Sequence, residues 1–149
     1  MVTKVGLQKD FIKALKDLIE LDYDAVEAYE AAINRIENEE YKNSLKKFKG
    51  DHERHIQELS EFLKENKETP PTGPSAKSLL TQGKVVLANL MGDTAILRAM
   101  RSNEIDTNTA YERINNYEEI SEEIRGPLKK GLQDEKRHLA WIETQLGKV

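Results

Sequence analysis

Three histidines occur in the chain, His52, His55 and His138, and their spacing is the first sign of chemistry. His52 and His55 are three residues apart, as are Glu135 and His138, so on a helix each pair presents both side chains to one face. Asp22 and Glu104 are acids that interrupt otherwise apolar helical stripes. Together these six residues offer three carboxylates and three imidazoles. An unpaired carboxylate in a core costs several kcal/mol, roughly, so the six need something to neutralise them. Imidazole combined with carboxylate suits iron, manganese or zinc, whereas calcium and magnesium prefer all-oxygen shells. Iron is expected first, as one or two ions, with manganese or zinc as substitutes. Taken singly, each histidine reads better as a hydrogen-bonded core residue than as a ligand; it is the coincidence of all six that points to a metal.

The elements that must position them are legible as stripes. From Leu7 the residues Phe11, Leu15, Leu18, Ala25, Tyr29, Ile33 and Ile36 recur at three- and four-residue steps, the pattern of one helix face. Asp22 fills the gap between Leu18 and Ala25. Asn38, followed by Glu39 and Glu40, reads as an N-cap, so a second helix is expected from there to about Lys67 with Leu45, Phe48, Leu59 and Phe62 inward. His52 and His55 fall between Phe48 and Leu59. The stretch Glu68 to Ser75, with Pro70, Pro71, Gly73 and Pro74, cannot continue a helix. Leu79 to Met91 is expected to form a short extra helix. Gly92 then reads as a C-cap and Asp93 as the N-cap of a third long helix, whose inward face carries Leu97, Met100, Tyr111 and Ile114, with Glu104 in the gap. Ser121 reads as the cap of the last helix, which Pro127 is expected to bend and which carries Ile124, Leu128, Ile142 and Leu146.

The two halves repeat each other. Ala28-Tyr29-Glu30 recurs as Ala110-Tyr111-Glu112, and Asp51-His52-Glu53-Arg54-His55 as Asp134-Glu135-Lys136-Arg137-His138, with offsets of 82 and 83. Heights agree too. Asp22 lies 16 residues before Asn38 and His55 lies 17 after it, while Glu104 and His138 each lie 17 from Ser121. At about 1.5 Å of rise per residue, equal counts from a turn place both pairs in one layer. The expected fold class is all-α: an antiparallel four-helix bundle of two pseudo-symmetric hairpins, 7–67 and 93–147, joined by a long crossover, 68–92, in a single domain over 1–149.

With those residues in hand, the chain resembles the ferritin-like superfamily, bacterioferritin and rubrerythrin in particular. In each half an acid stands seven residues before a tyrosine, Asp22 with Tyr29 and Glu104 with Tyr111. An x-x-His pair follows on the next helix, His52 to His55 and Glu135 to His138. The runs around Asp22 and around His52 also look like an uncharacterised bacterial ferritin-like family. The resemblance implies iron bound between the helices and a ferroxidase or peroxide-scavenging reaction, with oxygen or peroxide as the second substrate. Two positions depart from the pattern. Asp22 stands where glutamate is usual, and His52 where the first Glu-x-x-His has its glutamate. An imidazole nitrogen cannot bridge two metals as a carboxylate does, so the centre is expected to be asymmetric, weakly dinuclear or mononuclear. Glu20 and Glu27, two residues before and five after Asp22, are the reserve ligands. Tyr29 and Tyr111 read as core residues whose hydroxyls reach the polar layer.

Composition narrows the remaining classes. Charged residues make up 34% and aromatic ones 6%, the profile of long solvent-washed helices. With a net charge of −4 and cations scattered among acids, there is no basic stripe for nucleic acid. The absence of cysteine removes disulfides and iron–sulfur clusters, and leaves any electron donor external to the chain. No segment reads as a membrane span or signal peptide, so the cytoplasm is the default. A homo-oligomer is compatible with the pattern, though a storage shell is not announced by it. The alternative to a redox enzyme is a non-catalytic, stress-related or structural bundle whose metal or polar layer only stabilises the fold.

Overall fold

Each of the long apolar stripes is a helix in the computed structural model, which describes residues 3–74 and 90–148. Among these residues the helices are α1 (Phe11–Arg35), α2 (Glu39–Glu65), α3 (Asp93–Asn115) and α4 (Glu122–Leu146), with no strand. None is long and apolar enough to cross a membrane. The expected short helix over 79–91 lies outside the described residues, apart from Leu90 and Met91, which are not helical.

The helix starts show how local chemistry sets the frame. Asp10, not the region around Leu7, opens α1: its carboxylate accepts from the Ile12 N–H. Asn38 caps α2 by accepting from the Tyr41 N–H, as its sequence context implied. The expected cap at Asp93 is different. Asp93 is the first helical residue of α3, behind Gly92, and its carboxylate accepts instead from the backbone N–H groups of Glu37 (2.8 Å) and Asn38 (2.9 Å). It ties the start of the second hairpin to the tight turn of the first. Ser121 occupies the N-cap position of α4, but its hydroxyl makes no capping bond. Helix α4 runs on through Pro127.

Side-chain contacts fix the topology as an all-α four-helix bundle. Asp22 meets His52 while Glu30 meets Lys49, so α1 and α2 are antiparallel. Arg101 with Glu143, and Asn108 with the Glu135 carbonyl, make α3 and α4 antiparallel. Tyr29 reaches Glu104 and Tyr111 reaches Asp22 across α1 and α3; His138 reaches Asp51 across α2 and α4. The hairpins thus stack face to face, with α1 diagonal to α4 and α2 to α3. The N-terminal segment closes one end: Arg113 donates to the Thr3 and Val5 carbonyls, and Gly6, at φ +90°, lies over the Arg113 side chain, where a Cβ would be 2.3 Å from that of Arg113.

The core is divided. One apolar cluster gathers Leu15, Leu18, Leu59, Leu63, Ile114 and Leu128, and a second gathers Ala32, Leu45, Phe48, Leu97, Met100 and Ile142. Each fully buried Leu or Ile in them contributes about 1.5–3 kcal/mol of transfer free energy. Along α2, α3 and α4 the buried polar residues lie between the two clusters, and on α1 Asp22 sits between Leu21 and Ala25 at the inner edge of the first.

Candidate metal centre

All six residues singled out by the sequence meet in that intervening layer, and none is more than 4% exposed. They fall into two overlapping sets. Donor atoms of Asp22, His52, His55 and Glu135 lie within 4.8 Å of one another, and so do those of His52, Glu104, Glu135 and His138. Either set could hold a metal ion. His52 and Glu135 belong to both, and they are the pair that occupies equivalent positions in the two hairpins.

On the Asp22 side the polar atoms satisfy one another. Tyr111 donates to Asp22 Oδ2 at 2.6 Å, while His52 Nδ1 and His55 Nδ1 face Asp22 Oδ1 at 2.8 and 3.4 Å. Burial would raise the Asp22 carboxyl, but the hydrogen bonds from His52 and His55 outweigh it and hold the group below its ordinary range. An ionised carboxylate only accepts, so both rings donate.

The other side is different. His52 Nε2 lies 3.6 Å from Glu104 Oε1 and 3.4 Å from Glu135 Oε2, and His138 Nδ1 lies 3.5 and 3.0 Å from the same two oxygens. Close as they are, His52 Nε2, His138 Nδ1 and both Glu135 oxygens have no hydrogen-bond partner, and both histidines and Glu135 are wholly buried. Four convergent buried polar atoms that make ion-pair contacts at most, and no hydrogen bond, are what a cation would satisfy. Burial and the neighbouring Glu104 raise the Glu135 carboxyl to about 7, against the opposing pull of His52. For Glu104 burial is overcome by His138 and His52, which hold it well below the carboxylate range. His138 rises to about 10 because Asp51, Glu104 and Glu135 outweigh its burial, and Asp134 and Asp22 likewise lift His55 to about 9.

Behind the histidines stands a set of residues that sequence reasoning passed over. Asp51 accepts from His138 Nε2 at 2.8 Å, and Asp134 accepts from His55 Nε2 at 2.9 Å, so the acid preceding each x-x-His pair orients the histidine of the other hairpin. Arg54 and Arg137 complete this face. Arg54 pairs with both aspartates, and Arg137 donates to Asp51 at 2.8 Å and Asp134 at 2.9 Å. Both aspartates are held low, burial being outweighed by the histidine and arginine contacts. The signal was present in the repeat, where Asp51 matches Asp134 and Arg54 matches Arg137.

The tyrosines reach the layer as the stripes implied. Tyr29 donates to Glu104 Oε1 and Tyr111 to Asp22 Oδ2, each serving the acid of the opposite hairpin. Burial and those acids raise both phenols, which therefore remain donors. Phe48 stacks on His138 at 4.3 Å between centroids, fixing that ring from the side. Asn108 bridges α3 and α4 by donating to the Glu104 and Glu135 carbonyls. The reserve ligands Glu20 and Glu27 are half-buried and belong to neither set.

In comparisons with known proteins, the family described as "Domain of unknown function (DUF2383)" matches residues 10–125. The match takes in α1, α2 and α3, hence Asp22, His52, His55 and Glu104, and ends in the first turn of α4, before Glu135 and His138. Neither curated proteins nor solved structures gave a match.

Proposed function

This chain belongs to the family described as a domain of unknown function (DUF2383), and for it we propose a ferritin-like metal-binding role, with iron as the metal and oxidation of ferrous iron by oxygen or peroxide as the reaction. One observation carries the reading: the wholly buried, unpartnered donor atoms His52 Nε2, His138 Nδ1 and Glu135 Oε1 and Oε2 converge beside Glu104. Two nitrogens and two carboxylates form a donor set suited to iron or manganese.

Glu104 and Glu135 would hold the cation and offset its charge, and His52 and His138 would complete the set. A bound iron supplies one-electron redox chemistry in a site closed to bulk water. Reduction of one peroxide to two waters consumes two protons and the electrons of two ferrous ions. The chain's own residues orient and insulate. Tyr29 donates to Glu104, Asp51 holds the proton on His138 Nε2 so that Nδ1 faces inward, and Phe48 keeps that ring in place. The two apolar clusters keep water from either end. The reaction type rests on the resemblance of the paired acid–tyrosine and x-x-His motifs, and the electron acceptor and any donor come from outside the chain.

Loading the metal-free protein anaerobically with ferrous iron tests this. Iron should remain bound after desalting, and added peroxide should be consumed in proportion to it. Protein that retains no iron and consumes no peroxide overturns the proposal. A second reading, in which the layer only stabilises the bundle, is favoured by the completeness of the Asp22 network without any ion. In that case peroxide turnover stays at background and chelation leaves the melting temperature unchanged.

A further inference from the structure

We infer that the layer is built for one cation and not for a carboxylate-bridged pair: the ion lies between His52 Nε2, Glu104, Glu135 and His138 Nδ1, with Asp22 and His55 supporting His52 and not ligating. This rests on the metal-binding reading and specifies its site.

The two halves of the layer differ in what they leave unsatisfied. Every unpartnered donor atom of the six residues belongs to His52, Glu135 or His138. Asp22 has both oxygens engaged, Oδ2 by Tyr111 and Oδ1 by His52 and His55 together. Glu104 accepts only one hydroxyl at each oxygen, Tyr29 at Oε1 and Thr107 at Oε2, which leaves each a further lone pair. Its Oε1 faces the nitrogens of His52 and His138 that make no hydrogen bond. His55 has a carboxylate at each ring nitrogen, Asp22 on one side and Asp134 on the other. A cation on that side would have to break several of these hydrogen bonds. Glu135 is the one member of the Asp22 set with free oxygens, and it is shared with the other set.

His52 explains the asymmetry. At the equivalent place in the second hairpin stands Glu135, whose two oxygens lie on one side and could span ions about 3.5–4 Å apart, the spacing of two-metal sites. The two nitrogens of an imidazole point to opposite sides of the ring. Nδ1 of His52 is turned to Asp22, leaving a single lone pair, at Nε2, for the cage. Asp22 is also the shorter of the two layer acids on α1 and α3, and it spends its reach on His52. In this arrangement the first hairpin supplies one ligand, His52, and the second supplies three.

Manganese(II), added anaerobically to the metal-free full chain, is the probe. One manganese per chain should survive desalting, with the electron paramagnetic resonance spectrum of an isolated ion. Asp22→Asn and His55→Gln should still retain one, weakened by no more than about 100-fold, the range of outer-shell changes; Glu135→Gln and His138→Gln should retain none. Two manganese per chain with an exchange-coupled spectrum overturns the inference while the metal-binding reading stands. So does loss of manganese from Asp22→Asn that matches the loss from Glu135→Gln, with circular dichroism unchanged. A wild-type chain that takes neither manganese nor ferrous iron overturns both. The wild-type stoichiometry and spectrum decide the matter even if a variant fails to fold.

Discussion

Tyr111 shows how a single residue joins packing to the site. Its ring lies against Gly131 of α4, where an added Cβ would come within 2.5 Å of the ring, and its hydroxyl donates to the buried Asp22. Gly131→Ala should therefore destabilise by about 1–3 kcal/mol through overpacking, although alanine gains about 1 kcal/mol in helix propensity. Urea unfolding measures the balance; a more stable variant would show that the ring moves freely. Asp51 acts through a ring in a different way. Asp51→Asn weakens the acceptor behind His138 Nε2 and should lower metal affinity by about 10–100-fold without unfolding the bundle, as read by competition with a chelator. At this scale the sequence yielded the six residues of the layer, because acids and histidines in an apolar stripe are conspicuous. It did not yield the roles of Asp51 and Asp134, which look like surface residues until the opposite hairpin is brought against them. Nor could it separate Asp22, satisfied by hydrogen bonds, from Glu135, which is not.

Elements set the height at which these residues meet. Counting from Asn38 and from Ser121 placed the acids and histidines in one layer because both hairpin turns are tight and the helices unbroken, so rise per residue is a reliable ruler. Caps were less legible. Asn38 caps its own helix, but Asp93 reaches back to the N–H groups of Glu37 and Asn38, a contact set by how the hairpins stack and not by the local run of residues. Asp93→Ala should cost about 1 kcal/mol and speed hydrogen exchange at the Glu37 and Asn38 amides ahead of the rest of α2. Uniform acceleration along α2 would mean that the turn is held by other contacts. The crossover was legible only as a break: its prolines end the helix before them, but they do not fix the path of the chain to α3.

For the whole molecule, the layer makes stability depend on pH with a definite sign. Glu135, His55 and His138 all titrate above their ordinary values in the folded chain, near 7, 9 and 10. The folded state then binds more protons than the unfolded state, and stability falls as pH rises through those values. Asp22 and Glu104 titrate below theirs, so the stability they confer is lost only in acid, as pH falls through their lowered folded-state values. The metal-free protein should thus melt several degrees lower at about pH 9 than at about pH 6. A cation replaces the protons at His138 Nδ1 and Glu135, so its binding strengthens over the same interval and should reduce or reverse that slope. Parallel slopes with and without metal would place the cation away from these groups.

The divided core is proposed to hold a metal between its two hairpins. Anomalous diffraction from crystals of the metal-free protein soaked anaerobically in ferrous iron tests it most directly. A single anomalous peak enclosed by His52 Nε2, Glu104, Glu135 and His138 Nδ1 is expected. An empty layer, with iron only at surface carboxylates, would contradict it.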